Sequence, residues 1–392
     1  MQRTAVSWVV YSLTHSTVML GLIYFASQFP TFLLSLFGGV ISDRYNRYKV
    51  LLITQIASMI QATLLALLII FGNATVWEIL GLSVVLGCIN AFDVPSRQSL
   101  IYDMVNKKED LPNALALNSS MVNLARLAGP AIAGIVLERF GDSVCFLSNA
   151  ASFLAVIVSL LLMKLPKYSP NPKTKNVFGE LKEGFTYLRS TPSIGNIILM
   201  LAVVSFLVLP FNTLLPVYAK VVFKGSASTF GYINSFIGLG SISGAIFLAS
   251  LKEGSDLKKI LMINTLLMGV GLILFSHQSQ FILAMLFAVA IGFGMMSQST
   301  ISNTIIQTTA AKHMRGRVIS YFAMAFFGMQ PLGSLLIGFV SQYVGSPVTI
   351  LSEGICAIII ALIFRPLLKK ERLSADEKVI MDEIEQETIQ IK

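Results

Sequence analysis

Five ionisable side chains interrupt stretches that are otherwise apolar: Arg3, Asp93, Arg97, Arg126 and Glu353. A charge inside lipid is costly and persists where it is paired or where it works. Asn90, Asp93 and Arg97 recur at i, i+3 and i+7, so they share one helical face, and Asp93 and Arg97 are spaced for an intrahelical ion pair. Arg97 could instead reach Asp43 and join a gate, which with the intrahelical pair makes a structural or gating role the expectation for it. Asn118, Val122 and Arg126 share a second face, which predicts Arg126 near mid-membrane, meeting an anionic substrate or neutralising Asp93. Glu353 reads equally as a packing or lipid-edge group. This is chemistry of proton binding and charge exchange rather than of bond cleavage. No nucleophile converges with a base, no Gly-x-x-x-x-Gly-Lys-Ser/Thr phosphate loop occurs, and the expected cofactors are none, with a proton gradient as the energy source. Cys88, Cys145 and Cys356 stand singly in apolar runs, and His15, His277 and His313 fall in loops or at helix ends, so no metal spacing arises.

The elements that must carry these groups follow from composition. Hydrophobic residues make up 55% and charged residues 12% of 392, against the roughly 25% charge of a soluble domain. Apolar runs of about 20 residues recur along nearly the whole chain, as lipid-spanning helices require, and no long strand-like alternation competes with them. Helices are expected at 17–41, 49–71, 76–101, 113–139, 144–163, 194–221, 228–251, 258–276, 280–307, 316–342 and 346–368. A partial helix over 4–14 reads as the second half of a first spanning helix. No Ala-x-Ala-like site follows it, so it is not read as a cleaved signal.

Lysines and arginines resist translocation and so report orientation. The breaks after the second, fourth, sixth, eighth and tenth helices, with the tail, hold 23 of the 29 basic residues, whereas the opposite set holds Arg139, Lys220 and Lys224. Both chain ends are therefore expected in the cytoplasm, which requires an even number of spans, and twelve fits. The net charge of +9 then faces anionic lipid rather than nucleic acid.

The longest interruption, 164–193, begins Pro- and Lys-rich and reads as a cytoplasmic linker. Phe178, Leu181, Phe185 and Leu188 at helical spacing predict a short amphipathic helix on the membrane surface. The expected organisation is a bundle of six helices over 1–163, the linker, a second bundle over 194–368, and a cytoplasmic tail over 369–392. A shift of 210 residues pairs Gly21 with Gly231 and Lys49 with Lys259; a shift of 204 pairs Gly129 with Gly333 and Gly134 with Gly338. Internal repeats of this kind mark secondary transporters, whose site lies near the midplane between the repeats.

Three stretches carry a resemblance. Gly38-Gly39-Val40-Ile41-Ser42-Asp43-Arg44-Tyr45-Asn46-Arg47-Tyr48-Lys49 combines small residues for close packing with Asp43, Arg44 and Arg47 as a switchable ionic lock. It resembles the loop signature of the major facilitator superfamily. Asn46 stands for a glycine and Tyr48 for a basic residue, and Asn46 is expected to keep the turn through a left-handed backbone. Arg126-Leu127-Ala128-Gly129-Pro130, followed by Gly134, looks like the Gly-Pro-x-x-x-Gly motif of that superfamily's antiporters and exporters. The run from Asn90 through Asn118 to Gly134 resembles its enterobactin-exporter-like and macrolide-efflux-like branch, as does the start at 1–16.

The resemblance implies an all-α major facilitator fold of about twelve helices in two pseudo-symmetric bundles, with the beginning of helix 1 missing. It also implies that helices 1, 2, 4, 5, 7, 8, 10 and 11 border a cavity. Tyr24, Gln28, Asn212, Asn234, Gln298, Asn303, Tyr321 and Gln330 are then candidates for its lining, each with the alternative of an interhelical hydrogen bond. The expected function is export of a small amphipathic molecule, a siderophore-like metabolite or a drug, by proton-coupled alternating access in a bacterial inner membrane. Asp93 leads as proton carrier. The partners are lipid and substrate, and a monomer suffices. The rival readings are a lipid or lysolipid translocator and, remotely, a polytopic membrane enzyme.

Overall fold

Backbone amides buried in lipid must bond within their own segment, and the chain answers with helices throughout. The computed structural model describes residues 1–72, 74–105, 107–163, 177–252 and 254–369. In order these form α1 (Gln2–Thr14), α2 (Thr17–Arg44), α3 (Arg47–Ile70), α4 (Val76–Met104) and α5 (Leu111–Leu162). A short α6 (Val177–Ser190) precedes α7 (Pro192–Val222), α8 (Ala227–Ala249), α9 (Leu257–Ser276), α10 (Phe281–Thr309), α11 (Arg315–Val344) and α12 (Ser346–Lys369). No strand occurs among the described residues.

Among the described residues, ten segments are long and apolar enough to cross a membrane. One of them, α5, has 52 residues and leaves helical geometry at Gly141, with φ 83° and ψ 171°. That backbone suits glycine alone, and it divides α5 into two limbs. The crossing limbs therefore number eleven among the described residues. The 13 residues of α1 are too few for a full crossing.

Local chemistry fixes the ends. Ser16 accepts from the Met19 amide, Thr75 and Glu78 close a reciprocal capping box, and Asp256 accepts from the Lys259 amide. Each such cap contributes about 1 kcal/mol. Asn46 is also a cap: its Oδ1 accepts from the amides of Tyr48 at 3.0 Å and Lys49 at 3.4 Å. Its backbone is extended, φ −62° and ψ 110°, not left-handed. The expectation of a glycine-like turn is thus corrected. Asparagine replaces the glycine by starting the next helix rather than by bending freely.

The packing repeats itself. α2 lies on α4, α3 on α4 and on α5; in the later part of the chain α8 lies on α10, α9 on α10 and on α12. The two sets join along α5–α8 and α2–α11. Bare glycines allow both joints. A Cβ on Gly134 would stand 2.5 Å from the Ala227 carbonyl oxygen, and one on Gly231 2.5 Å from that of Pro130. Across the other joint, a Cβ on Gly21 would stand 2.5 Å from the Ser334 oxygen and one on Gly338 2.6 Å from the Thr17 oxygen.

These joints favour one end of the molecule. The turns at His15, Gly141, 223–226 and Gly345 form that end, and the lysine- and arginine-rich turns form the other, here called the basic end. Close to the first end, Thr17 Oγ1 donates to the Gly338 oxygen at 2.8 Å, Trp8 stacks with Phe230 at 6.3 Å, and Lys220 reaches Ser12 at 3.2 Å. Toward the basic end, α2 and α5 turn Leu33, Phe37, Leu117, Met121 and Leu124 outward from the core.

The amphipathic helix α6 forms, but its buried side faces protein. Leu188 is buried in the core of the later half, Glu183 pairs with Arg317 at 2.6 Å, and Gly184 lies against the Tyr321 ring. The Tyr187 hydroxyl accepts from the Ala311 amide at 3.2 Å. Through Leu188, Glu183 and Gly184 the helix docks on the start of α11. Phe185 remains outward, and the side chains of Phe178 and Leu181 lie outside the described residues.

Candidate functional site

A buried polar cluster in the first half is built around Asp93. It projects from α4 into the seam with α3 and is 5% exposed. Thr54 Oγ1 and Gln55 Nε2 donate to its Oδ1 at 2.9 and 2.6 Å; Arg97 Nε and NH2 donate to its Oδ2 at 3.2 and 2.8 Å. Both carboxylate oxygens are therefore satisfied, and the pair anticipated at i, i+4 is present. Arg97 is half exposed. Thr54 and Gln55 tie α3 to α4 through Asp93, whereas the pair with Arg97 lies within α4 itself.

One turn away the same α4 face reaches a small recess, part of it open to solvent. Tyr24, Gln28 and Asn90 line it with Gln2, Arg3 and Ser7. The guanidinium of Arg3 lies over the Tyr24 ring, 5.9 Å from its centroid. Gln2 fixes this arrangement from behind: its Nε2 donates to Gln61 at 2.8 Å, its Oε1 accepts from Asn149 at 2.7 Å, and Gln61 donates on to the Leu82 carbonyl at 3.1 Å. Two buried amides thus pin α1 to α3 and to the second limb of α5. Sequence reasoning missed Gln2 and placed no role on Arg3, although Arg3 and Ser7 at i, i+4 carried the signal of one polar face.

Arg126 is exposed on the first limb of α5. Its carbonyl oxygen would stand 3.1 Å from a Cβ on Gly238, so it sits at the joint between the halves. Gly129 faces open space, whereas Pro130 and Gly134 form the contact with α8. The helix continues through Pro130 and breaks only at Gly141.

Other candidates fall elsewhere. Gln298 is fully buried, accepting from Thr265 at 2.6 Å between α9 and α10, so it does not line an open cavity. Asn234 and Asn212 donate to the carbonyls of Phe230 and Leu209 in their own helical turns, at 2.9 and 3.3 Å. Asn303 accepts from Gln307, and Gln330 offers its carbonyl to Ser334. Tyr321 lies beneath α6, and Asn118 is exposed on α5 toward the basic end. Glu353 is 1% exposed, so it is no lipid-edge group. Arg47 begins α3 and donates through Nε to the Ser42 carbonyl at 3.4 Å. The side chains of Asp43 and Arg44 lie outside the described residues.

The model of the transmembrane secretion effector family matches residues 1–391. The chain belongs to that family of major facilitator transporters. Among curated relatives, the staphyloferrin A transporter of Staphylococcus aureus is 27% identical over 380 residues, covering 96% of this chain and 94% of its own. The multidrug efflux pump Tap of Mycolicibacterium fortuitum is 22% identical over 382 residues, covering 95% and 93%. The enterobactin exporter of Shigella boydii is 25% identical over 336 residues, covering 85% and 79%. Among solved structures, the nucleoside transporter NupG superposes with a TM-score of 0.74 at 13% identity, covering 94% of this chain and 95% of that one. A bacterial homologue of the lysosomal transporter Spinster reaches 0.71 at 15%, covering 94% and 93%. These likenesses establish the major facilitator fold, and the family is one of membrane transporters.

Proposed function

We propose that this protein exports a small amphipathic molecule, a siderophore-like metabolite or a drug, by proton-coupled alternating access across a bacterial inner membrane. The observation that carries the reading is the pair of glycine-lined joints, α2–α11 and α5–α8, which close one end of the molecule. A polar recess lies beyond them, on the side toward the basic end. The lysine- and arginine-rich loops support a cytoplasmic second end, so in this reading the described state is the one that loads substrate from inside. Curated relatives named for a siderophore and for drugs support the cargo class.

In this reading the halves rock about the recess, opening the joints outward. Protonation of Asp93 weakens the bonds it accepts from Thr54 and Gln55 across the α3–α4 seam, biasing the exchange; Asp43, Arg44 and Arg47 act as the cytoplasmic lock. A single chain contains both halves and works as a monomer.

Everted membrane vesicles, whose cytoplasmic face is outward, test this. Energised vesicles containing the protein should accumulate rhodamine 6G or fluorescein faster than vesicles lacking it, and a protonophore should abolish the difference. Equal accumulation with and without the protein would remove the export reading. A protonophore-insensitive difference would remove the proton alone.

A further inference from the structure

We propose that Glu353 is a proton-binding site of the later half, holding its proton while the first end is closed and exchanging it with water there when that end opens. The site stands on burial and packing; only its link to opening rests on the alternating-access reading above.

At ~1.5 Å per helical residue, Glu353 stands about 10 Å inside the Ser346 end of α12. It is 1% exposed, and neither carboxyl oxygen has a hydrogen-bond partner among the described residues. On one side Gly354, Ala357 and Ile358 press on α9, where a Cβ on Gly354 would stand 2.8 Å from the Gly269 oxygen. On another, α12 packs on α7, and Asn196 donates to the Leu367 carbonyl at 3.3 Å. These elements bring no counter-charge to the carboxyl. Lys258 and Lys259 of α9 lie at the basic end, and His277 is exposed beyond the last turn of that helix. From α7 come Tyr218, whose hydroxyl donates to the Ser276 carbonyl at 3.3 Å, and Lys220, which reaches Ser12. Arg315, Arg317 and Tyr321 of α11 lie at the basic end, and its Tyr343 is exposed. On α12 itself Cys356 is neutral, and Arg365 is exposed toward the basic end. A lone carboxylate in such a place costs far more than the neutral acid. Glu353 is therefore seated with its proton.

The helix that joins this site to the closed end is α7, and it does so where it is least regular. It runs as a 3₁₀ turn over Leu209–Leu214 and as a π-helix over Tyr218–Val222. Departures of this kind inside a helix mark hinges. Thr213 Oγ1 donates to Ser334 Oγ at 3.1 Å, and Ser334 is the α11 residue whose carbonyl meets Gly21 across the α2–α11 joint. The same 3₁₀ turn touches α12. Opening the joint thus pulls on the part of α7 that helps to seal α12, and water gains the carboxyl. Closing over an ionised Glu353 would bury an unpaired charge, so the end shuts over the neutral acid. Acid in the water at the first end favours the closed state.

The test uses the purified full chain in dodecyl maltoside, a detergent without carbonyl groups, read by infrared spectroscopy. At neutral pH the wild type should show a protonated-carboxyl band that Glu353→Gln lacks and Glu353→Asp shifts. The aspartate variant keeps the proposal testable if the glutamine variant unfolds. Thermal unfolding supplies the sign. Where the folded chain keeps a proton that the unfolded chain gives up, stability is lost as pH rises above about 4.3. The wild-type midpoint should therefore fall relative to that of Glu353→Gln by about 2 °C for each pH unit. Gly21→Leu wedges the α2–α11 joint, and there the band should fade as pH rises through the neutral range. A band unchanged in both Glu353 variants, or equal pH slopes in wild type and Glu353→Gln, overturns the proposal. Stabilisation of the wild type, but not of Glu353→Gln, by sodium chloride over choline chloride assigns the carboxylate to a bound cation and overturns it equally. A band that persists in Gly21→Leu in alkaline buffer overturns the link to opening. A wild-type band together with equal dye accumulation in vesicles with and without the protein overturns the export reading alone.

Discussion

Gln55 on α3 donates a 2.6 Å hydrogen bond to Asp93 on α4, and the same bridge recurs one half later with the charge removed. There Thr265 on α9 donates at 2.6 Å to Gln298 on α10. A shift of 210 residues carries Thr54 and Gln55 onto Asn264 and Thr265, and one of 205 carries Asp93 onto Gln298 and Arg97 onto Ser302. The repeat has thus kept a buried polar clasp in both bundles and placed an ion pair in the first alone. The second clasp can stabilise but cannot respond to a proton.

That asymmetry predicts different outcomes for matched substitutions. Asp93→Asn should abolish efflux driven by a pH gradient, with folding retained and stability lower by about 1–3 kcal/mol as Arg97 loses its partner. Gln298→Leu should cost about 1 kcal/mol, leaving the pH dependence of efflux in place. Thermal unfolding and vesicle transport at several pH gradients would check both. Unchanged gradient-dependent efflux in Asp93→Asn removes Asp93 from the mechanism.

The two glycines of the Gly-Pro-x-x-x-Gly stretch should behave unlike each other. Gly129 faces open space, so Gly129→Ala should be tolerated and stabilise by about 0.5–1 kcal/mol through helix propensity. Gly134 meets the Ala227 carbonyl, so Gly134→Ala should force α5 from α8 and reduce transport by about tenfold or more, a barrier change near 1.4 kcal/mol. Transport rates with a melting curve for each variant decide the matter; equal effects would refute the placement of Gly129.

Asn46 offers a test of the turn after α2. As an N-cap, Asn46→Ala should lose about 1 kcal/mol, whereas Asn46→Gly and Asn46→Asp should lose only tenths. If glycine instead stabilised the chain, the turn would require the freedom that the extended backbone of Asn46 does not use.

The docking of α6 is predicted to rest on shape more than on charge. Glu183 is 63% exposed in its pair with Arg317, so Glu183→Ala should change stability by no more than about 0.5 kcal/mol. Gly184→Leu should displace the helix, because even a Cβ there would stand 3.0 Å from the Tyr321 ring. Hydrogen exchange over residues 177–190 should accelerate in the second variant and stay unchanged in the first.

The sequence by itself determined the solvent, the helices and much of their pairing. Apolar runs of spanning length leave the backbone no other way to bond itself, and i, i+4 spacing alone sets Asp93 beside Arg97. It likewise brought forward Tyr24, Gln28 and Asn90, because polar groups in such runs are few. Only the tertiary structure decided which polar residues share a space. Gln298 and Tyr24 are alike as letters, yet one is sealed between α9 and α10 and the other opens on a recess, since burial depends on what a distant helix lays across each face. Arg3 gained its place the same way: Gln2 ties α1 to residues 59 and 147 positions away, and no local pattern encodes a contact at that separation.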